Sequence, residues 1–398
     1  MRTLIAVETV FFKTPDQEIW TTGQNDYTFW KRYLHFFDEI LVVSRVKTVE
    51  EKDDNWIKAS GPNVTFVELP FYQGPRQYLQ KDKIIKDIIK ENIVKADAYI
   101  LRVPGRIASL CWFEIRRRKL PYFLEVCGDP WESLRRGNVK SIVRPIARVL
   151  SYWRLKSQCI NAEATSYVTN YALQKRYPPN PLKPTFSISD VVLNESVAIN
   201  YIDRKYKYSK ERVVKIINAG TMNTFYKGHE TQLEALKHLI KKGYNVKLFF
   251  AGDGKLRGHF ERKVKKMSLE KNVVFLGMIS GSDQLQREFN KYDLFILPSY
   301  VEGMPRVLIE AMAVSLPCIA SDVGGIPEIL NAKCLVKPRN PVMLADKIIE
   351  IITDDEKMEN YSKENFLKST EYSKSTLDAK RTSFYSLVKK QIKLYILQ

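Results

Sequence analysis

The chain is short of several things, and each shortage removes a class of explanation. Its five cysteines (Cys111, Cys127, Cys159, Cys318, Cys334) are scattered, odd in number and free of Cys-x-x-Cys spacing. Neither a disulfide framework nor a structural zinc site is implied, and they read as small buried hydrophobes. The longest apolar runs, such as "VKLFFAG" and "LFILPSY", fall far short of the roughly 20 residues that cross a bilayer. The opening "MRTLIAVETVFF" has no basic leader, long apolar core or small-residue cleavage site; it reads as a buried strand, and a cytoplasmic protein is expected. No short-period repeat or low-complexity block is present, which argues against a solenoid or a disordered chain. The four histidines (His35, His229, His238, His259) lie in or beside predicted helices, so no catalytic imidazole is expected. GxGxxG and GxxxxGK[ST] are missing too. Acidic charge is scarce relative to basic, 45 against 64 residues, for a net charge of +19. Such a surplus suits nucleic acid, an anionic membrane or an anionic substrate. Without a nucleic-acid motif, the first of these is not expected; it would show as steeply salt-dependent binding.

What is present is a regular alternation. At 398 residues two or three domains are expected at about 150 residues each. Strand-like runs at Leu4–Glu8, Glu39–Ser44, Val64–Leu69, Ala98–Arg102, Tyr122–Val126 and Ala164–Val168 are separated by amphipathic stretches such as "KDKIIKDIIKENIV" and "RIASLCWFEIRRRK". This is the pattern of βαβ units on a parallel sheet. It lapses over Ser187–Ser209, read as a linker, and then resumes with "VVKIINAG", "HETQLEALKHLIKKG", "VKLFFAG", "VVFLG", "LFILPS" and "PCIAS". Ser282 is placed to cap one of the later helices. The fold class is therefore α/β with two Rossmann-like domains facing across a cleft, at residues 1–195 and 205–378. The amphipathic end, about 379–398, is expected to pack back on the first domain.

In such sheets ligands bind beyond the carboxyl ends of strands. In the second array those ends are Gly220-Thr221-Met222, with Lys227 close behind; Gly252-Asp253-Gly254; Phe275-Leu276-Gly277; Ser299 to Pro305; and Val323-Gly324-Gly325. Glycines let backbone approach a ligand and offer N–H groups to phosphate, and a lysine adds a point charge. Within "SYVEGMPRVLIEAMA", Pro305 reads as the first helical residue. Glu302 and Glu310, about 10 Å apart by helical rise, suit a ligand with hydroxyls at both ends and a diphosphate between, a nucleotide-sugar. The acids are too far apart to share one metal ion, and no metal ligand set is expected.

These motifs carry a resemblance. "YKGHETQLEAL", "AGDGKLR", "VVFLG" and "LPSYVEGMPRVLIEAMAVSLPCIASDVGGIPE", with their E-x7-E spacing, resemble the retaining GT-B glycosyltransferases of family GT4 over roughly Val213 to Leu330. "TFWKRYLHFFDEILVVSRV" and "PYFLEVCGDPWES" resemble its bacterial surface-polysaccharide branch. The resemblance implies that Glu310 binds the ribose, and that Glu302 with Gly303 and Met304 addresses the sugar and leaving diphosphate. Lys227 would neutralise that diphosphate, while Gly252–Gly254 and Phe275–Gly277 flank base and ribose. Retention would follow from front-face attack, with electrostatic catalysis and no cofactor or divalent metal. Three places depart from the family pattern. Thr221 stands where an arginine is usual, leaving Lys227 alone or with Arg257 or Arg306. No histidine follows the fourth strand, where Arg102 stands instead, and the amino-terminal glycine loop is reduced to Thr22-Gly23-Gln24. Asp129, after the next strand, is a further acceptor-side candidate whose alternative is a turn or cap aspartate.

The expected activity is therefore transfer of a sugar from a nucleotide-diphosphate donor to a glycan acceptor, expected to be polyprenyl-diphosphate-linked, in capsule, O-antigen or exopolysaccharide synthesis. The segment 131–156, with seven Arg or Lys, one Glu and interleaved aliphatic and aromatic residues, fits an anionic inner membrane face; its alternative is the solvated face of a packed helix. Another reaction on the same fold, by an epimerase, synthase or phosphorylase, is the competing enzymatic reading.

Overall fold

The computed structural model describes residues 1–397 apart from 24, 136–142, 192, 194–200 and 280. Part of the basic segment, Gln24 and much of the expected linker thus lie outside the described residues. The first sheet contains β1 (Arg2–Lys13), β2 (Ile19–Thr21), β3 (Glu39–Thr48), β4 (Ile57–Lys58), β5 (Val64–Pro70), β6 (Ala98–Val103), β7 (Phe123–Val126), β8 (Ala164–Tyr167) and β9 (Thr185–Ser187). Its parallel part runs β5-β3-β1-β6-β7-β8-β9. β2 adds antiparallel to the end of β1, and β4 adds antiparallel to β2. The second sheet, β10 (Val214–Ala219), β11 (Val246–Ala251), β12 (Val273–Gly277), β13 (Leu294–Leu297), β14 (Cys318–Ser321) and β15 (Leu335–Val336), is parallel in the order β12-β11-β10-β13-β14-β15. β7, β8, β13 and β14 are buried at every residue, as strands covered on both faces must be, and that is why they read as continuous apolar runs.

The last helix, Lys374–Ile396, leaves the second sheet and covers a face of the first. Phe384, Tyr385, Val388 and Ile392 pack with Ile5, Phe37 and Ile40. Arg381 also donates to the carbonyl of Ser189 at 2.9 Å.

Several expectations need correction. Thr185–Ser187 is a strand paired with β8, so ordered structure enters the expected linker. Beyond it, Ile202 N donates to Ser315 Oγ, and Arg204 donates to the carbonyls of Val314 and Tyr292, so this stretch is strapped to the second domain. Gly281, not Ser282, occupies the cap position of helix Ser282–Phe289. Pro327 and Glu328, whose sequence reads as a helix start after the glycine loop, form only a single 3-10 turn, Ile326–Glu328. The Glu328 carboxylate instead reaches the first domain and accepts from the backbone N–H of Asn170, Tyr171 and Ala172 at 2.5, 3.2 and 2.7 Å.

His229 is 1% exposed, lies against Phe250 and Phe260, and neither ring nitrogen has a partner among the described residues. Burial, helped by the Lys227 charge, lowers its pKa to about 4 from 6.5. The unfolded chain therefore binds a proton between those values that the folded chain does not, and stability falls as pH drops from 6.5 towards 4. His229→Leu should flatten that fall by up to about 1.4 kcal/mol per pH unit. Urea midpoints of both proteins across this window test it; parallel curves refute the assignment.

Candidate active site

The second sheet reverses its strand order between β10 and β13, and such reversals open a crevice at the carboxyl ends of the strands. β10 leads through Gly220 and Thr221 to a single 3-10 turn, Phe225–Lys227; β13 leads to the loop Ser299–Pro305. Lys227 Nζ donates to Glu302 Oε1 at 2.8 Å in that crevice, and the two side chains are 16% and 8% exposed. A cation and a carboxylate far apart in sequence are thus brought to one point by topology.

The surrounding glycines are needed for close approach. Gly252 has φ +141°, and a Cβ there would lie 2.1 Å from the Gly220 carbonyl oxygen. Gly252 N also donates to the Gly277 carbonyl at 2.7 Å, tying two strand ends together beside Leu276. Gly324 has φ +57°, and a Cβ there would lie 2.0 Å from the Glu302 carbonyl oxygen. With Gly325 N donating to the Gly303 carbonyl at 2.7 Å, the Val323–Gly325 loop supports the loop that carries Glu302. The sequence places Val323-Gly324-Gly325 among the strand ends of the site; the structure adds that this loop holds the Glu302 loop in place.

The remaining second-domain candidates separate by position. Pro305 is the cap rather than the first helical residue of Arg306–Ala313, so that helix begins one residue later than expected. Glu310 is half-buried in its second turn, while Met304 is buried beneath the loop. Ser299 is wholly buried, and its hydroxyl has no partner among the described residues, so it supports the loop from inside. Thr221 Oγ1 accepts from Asn223 N at 3.2 Å. Asp253 accepts from Gly254 N at 2.7 Å and Arg257 Nη1 at 2.8 Å, and those bonds hold its carboxyl below the usual range. Arg257 also pairs with Glu261. Arg306 is exposed, and its charge acts on Asp190 of the first domain. Lys227 is therefore the cation in contact with Glu302, with Arg257 and Arg306 engaged elsewhere.

Across the cleft, a Cβ at Gly303 would lie 3.0 Å from the Cys127 carbonyl oxygen. The strand end facing the Glu302 loop is thus that of β7, Cys127–Gly128, within the "PYFLEVCGDPWES" motif and just before the candidate Asp129. Arg102 lies one strand away in a buried ion cluster, donating to Glu125 and to Asp190. Arg32 pairs with the same Asp190 at 3.2 Å, and Tyr33 and Tyr385 donate to Glu125. Burial pushes the Asp190 carboxyl up, but Arg102 and Arg32 override it and hold the group far below its ordinary value. Asp129 is the cap of helix Pro130–Ser133, accepting from Trp131 N and Glu132 N. It also accepts from Tyr177 at 2.6 Å and pairs with Arg176. Both first-domain candidates are held by structural partners.

The profile of the family described as "Glycosyl transferases group 1" matches residues 203–367. The chain is 30% identical over 344 residues to protein CapJ of Staphylococcus aureus, covering 85% of this chain and 83% of CapJ. The chain belongs to the group 1 glycosyltransferases. A shorter match, 36% identical over 104 residues, reaches the putative teichuronic acid biosynthesis glycosyltransferase TuaC of Bacillus subtilis, covering 26% of this chain and 24% of TuaC. The structure of Anabaena HepE, solved with UDP and glucose, superposes with a TM-score of 0.64 at 14% identity, covering 100% and 99% of the two chains. This glycosyltransferase has the GT-B architecture of two Rossmann-like domains implied by its motifs. Among its described residues no helix is long and apolar enough to cross a membrane.

Proposed function

We propose that the protein is a retaining hexosyltransferase that moves a sugar from a nucleoside-diphosphate donor to a glycan on polyprenyl diphosphate, in bacterial surface-polysaccharide synthesis. The observation that carries this reading is the Lys227–Glu302 pair at 2.8 Å, set at the sheet's reversal point and facing the first domain through Gly303. A donor placed with its diphosphate at Lys227 replaces one anionic partner of that lysine by another. Charge building on the leaving diphosphate is met by Lys227 Nζ and the Gly303–Met304 amides, which is electrostatic stabilisation of the transition state. Glu302 then faces the sugar, and Glu310, on the following helix, takes the ribose hydroxyls. The chain itself supplies the positive charge, so EDTA should leave the rate unchanged. The names of TuaC and of HepE with UDP and glucose support the polysaccharide and donor parts. Residues 1–195 are assigned to the acceptor, and 205–378 to the donor.

The test is a thermal-shift screen of nucleotide-sugars, because a ligand bound only by the folded chain raises its melting temperature. The matched donor is then turned over, and the anomeric configuration of the product is read by NMR. Inversion, or no donor that both stabilises and turns over, refutes the reading.

The same proposal gives the protein a peripheral place on the inner membrane face. Helix Arg144–Ile160 exposes Ile146 (65%), Leu150 (56%) and Trp153 (59%), with Arg144, Arg148 and Lys156 on the same helix. Apolar side chains flanked by cations suit an anionic bilayer. Ile146→Asp/Trp153→Asp should lower co-sedimentation with vesicles containing 30% phosphatidylglycerol by about tenfold or more, with melting temperature unchanged. Equal sedimentation of the variant and the parent protein removes this surface from the proposal.

A further inference from the structure

The first sheet has its own reversal point, between β1 and β6, and the residues gathered there take no part in the donor chemistry. A row of close contacts leads to it from the Glu302 loop. After Gly303 meets the Cys127 carbonyl, a Cβ at Gly128 would lie 3.6 Å from Pro104 Cδ, and one at Gly105 would lie 2.6 Å from Glu8 Cγ. Beyond Glu8 come Arg45, late in β3, and Tyr72, just past β5. Three strand spacings separate β7 from β3, or about 14 Å at roughly 4.8 Å each.

The amino terminus of helix Arg106–Arg117 points into this place, but its amides already have an anion: Glu8 accepts from Ile107 N and pairs with Arg45 at 3.5 Å. What remains is a surplus of cations. Arg106 lies over the Tyr78 ring at 4.4 Å, donates to the Tyr78 hydroxyl at 2.7 Å, and has no ion pair among the described residues. Arg154 rests over Phe113 at 5.8 Å and makes no hydrogen bond or ion pair among the described residues. Burial, then the like charge of Arg106, pulls its guanidinium below its ordinary value. The nearby acids are Glu8 and Asp82; the latter accepts from Tyr78 and pairs with Lys86 at 2.5 Å. A second sign of a missing partner is Tyr72. It is 6% exposed, packs edge-on to Tyr78, and its hydroxyl has no partner although it lies within the fields of Glu8, Arg45 and Arg106.

We propose that this crevice is a phosphate or diphosphate subsite for the acceptor, in which Arg106 and Arg154 take the anionic oxygens and the Tyr72 hydroxyl donates to one of them. Guanidinium groups form strong, charge-assisted bonds to phosphate, and two that feel each other's charge with no ion pair of their own among the described residues favour an anion. The prenyl chain would leave over Phe113, which is 50% exposed, towards Leu150 and Trp153. The inference rests on the proposed lipid-linked acceptor, and it names the residues that recognise that acceptor's headgroup.

The experiment uses the full chain, with farnesyl diphosphate as a soluble probe, inorganic pyrophosphate and farnesol as the other arms, and calorimetry with and without UDP or GDP. Farnesyl diphosphate should bind alongside nucleotide, weaken tenfold or more in Arg106→Ala/Arg154→Ala, weaken about threefold in Tyr72→Phe, and be unchanged in Lys227→Ala. Nucleotide binding by the Arg106, Arg154 and Tyr72 variants, and the thermal unfolding transition of Lys227→Ala, report that each is folded. Pyrophosphate binding as tightly, with the same dependence on Arg106 and Arg154, upholds the anion subsite and assigns it to free phosphate rather than a lipid headgroup. Undiminished binding in the double variant, loss in Lys227→Ala, or no binding by the parent protein overturns the proposal. Failure of nucleotide to bind the parent protein strikes the donor reading instead and leaves the farnesyl diphosphate result interpretable.

Discussion

Lys227→Ala is expected to lower kcat by about 10² to 10³, or roughly 2.7–4 kcal/mol, the usual loss when one preorganised electrostatic contact to developing charge is removed. The expectation follows from position. Lys227 Nζ is 2.8 Å from Glu302 Oε1, both side chains are largely buried, and Arg257 is held by Asp253 and Glu261. Among the described residues no second cation contacts Glu302 to share the task. The single change also leaves a buried carboxylate without its ion-pair partner, which destabilises the fold. Stability and catalysis must therefore be separated. Glu302→Gln alone should also be strongly impaired, because the amide keeps shape and loses charge. The double variant Lys227→Met/Glu302→Gln should regain much of the thermal stability lost in Lys227→Ala, while its turnover stays low. Initial-rate kinetics beside urea denaturation read both quantities. A Lys227→Ala enzyme within threefold of the parent kcat would dismiss this lysine as the charge that meets the leaving group.

The second large effect concerns stability. Glu125→Leu is expected to cost about 3–5 kcal/mol, the range for breaking a buried ion pair by removing one partner. Glu125 is 6% exposed and accepts from Tyr33 at 2.9 Å and Tyr385 at 2.7 Å, besides pairing with Arg102 and, at 3.6 Å, with Arg32. Removing it takes the acceptor from the Tyr33 and Tyr385 hydroxyls and leaves Asp190 to pair with both Arg32 and Arg102. Because Tyr385 belongs to the last helix, that helix should become the first site of proteolysis, with a melting temperature lower by roughly 10 °C. Tyr385→Phe should cost only about 1 kcal/mol. A cycle combining Tyr385→Phe with Glu125→Gln measures how strongly the two are coupled; simple additivity, or a Glu125→Leu protein as stable as its parent, removes the network from the account of how the last helix is held.

Local patterns carried much of the architecture. The parallel strands announced themselves because a strand covered on both faces must be apolar throughout, and runs such as "LFIL" and "CIAS" are buried at every residue. Strands β2 and β4 carried no such signal, being two or three residues long and antiparallel at an edge. Asp129 illustrates a limit: a carboxylate after a strand and before Pro130 has the same sequence signature whether it caps a helix or meets a ligand. In the structure it caps a helix and engages Tyr177 and Arg176, partners more than 40 residues away that leave no local trace.

By itself the sequence determined the class of fold, the two α/β arrays and the donor-side motifs, because strand burial, glycine at strand ends and the spacing of Glu302 and Glu310 are all local. Only the tertiary structure decided which groups meet. It joined Lys227 to Glu302 across 75 positions, set Cys127–Gly128 rather than Arg102 against Gly303, and drew Arg102 into an ion cluster with Glu125 and Asp190. It also set Arg106 over Tyr78, Tyr72 edge-on to that ring, and Arg154 within the field of Arg106. The physical reason is that contact between strand ends is set by the order of strands in the sheet and by the packing of two domains, and neither leaves a periodic trace along the chain.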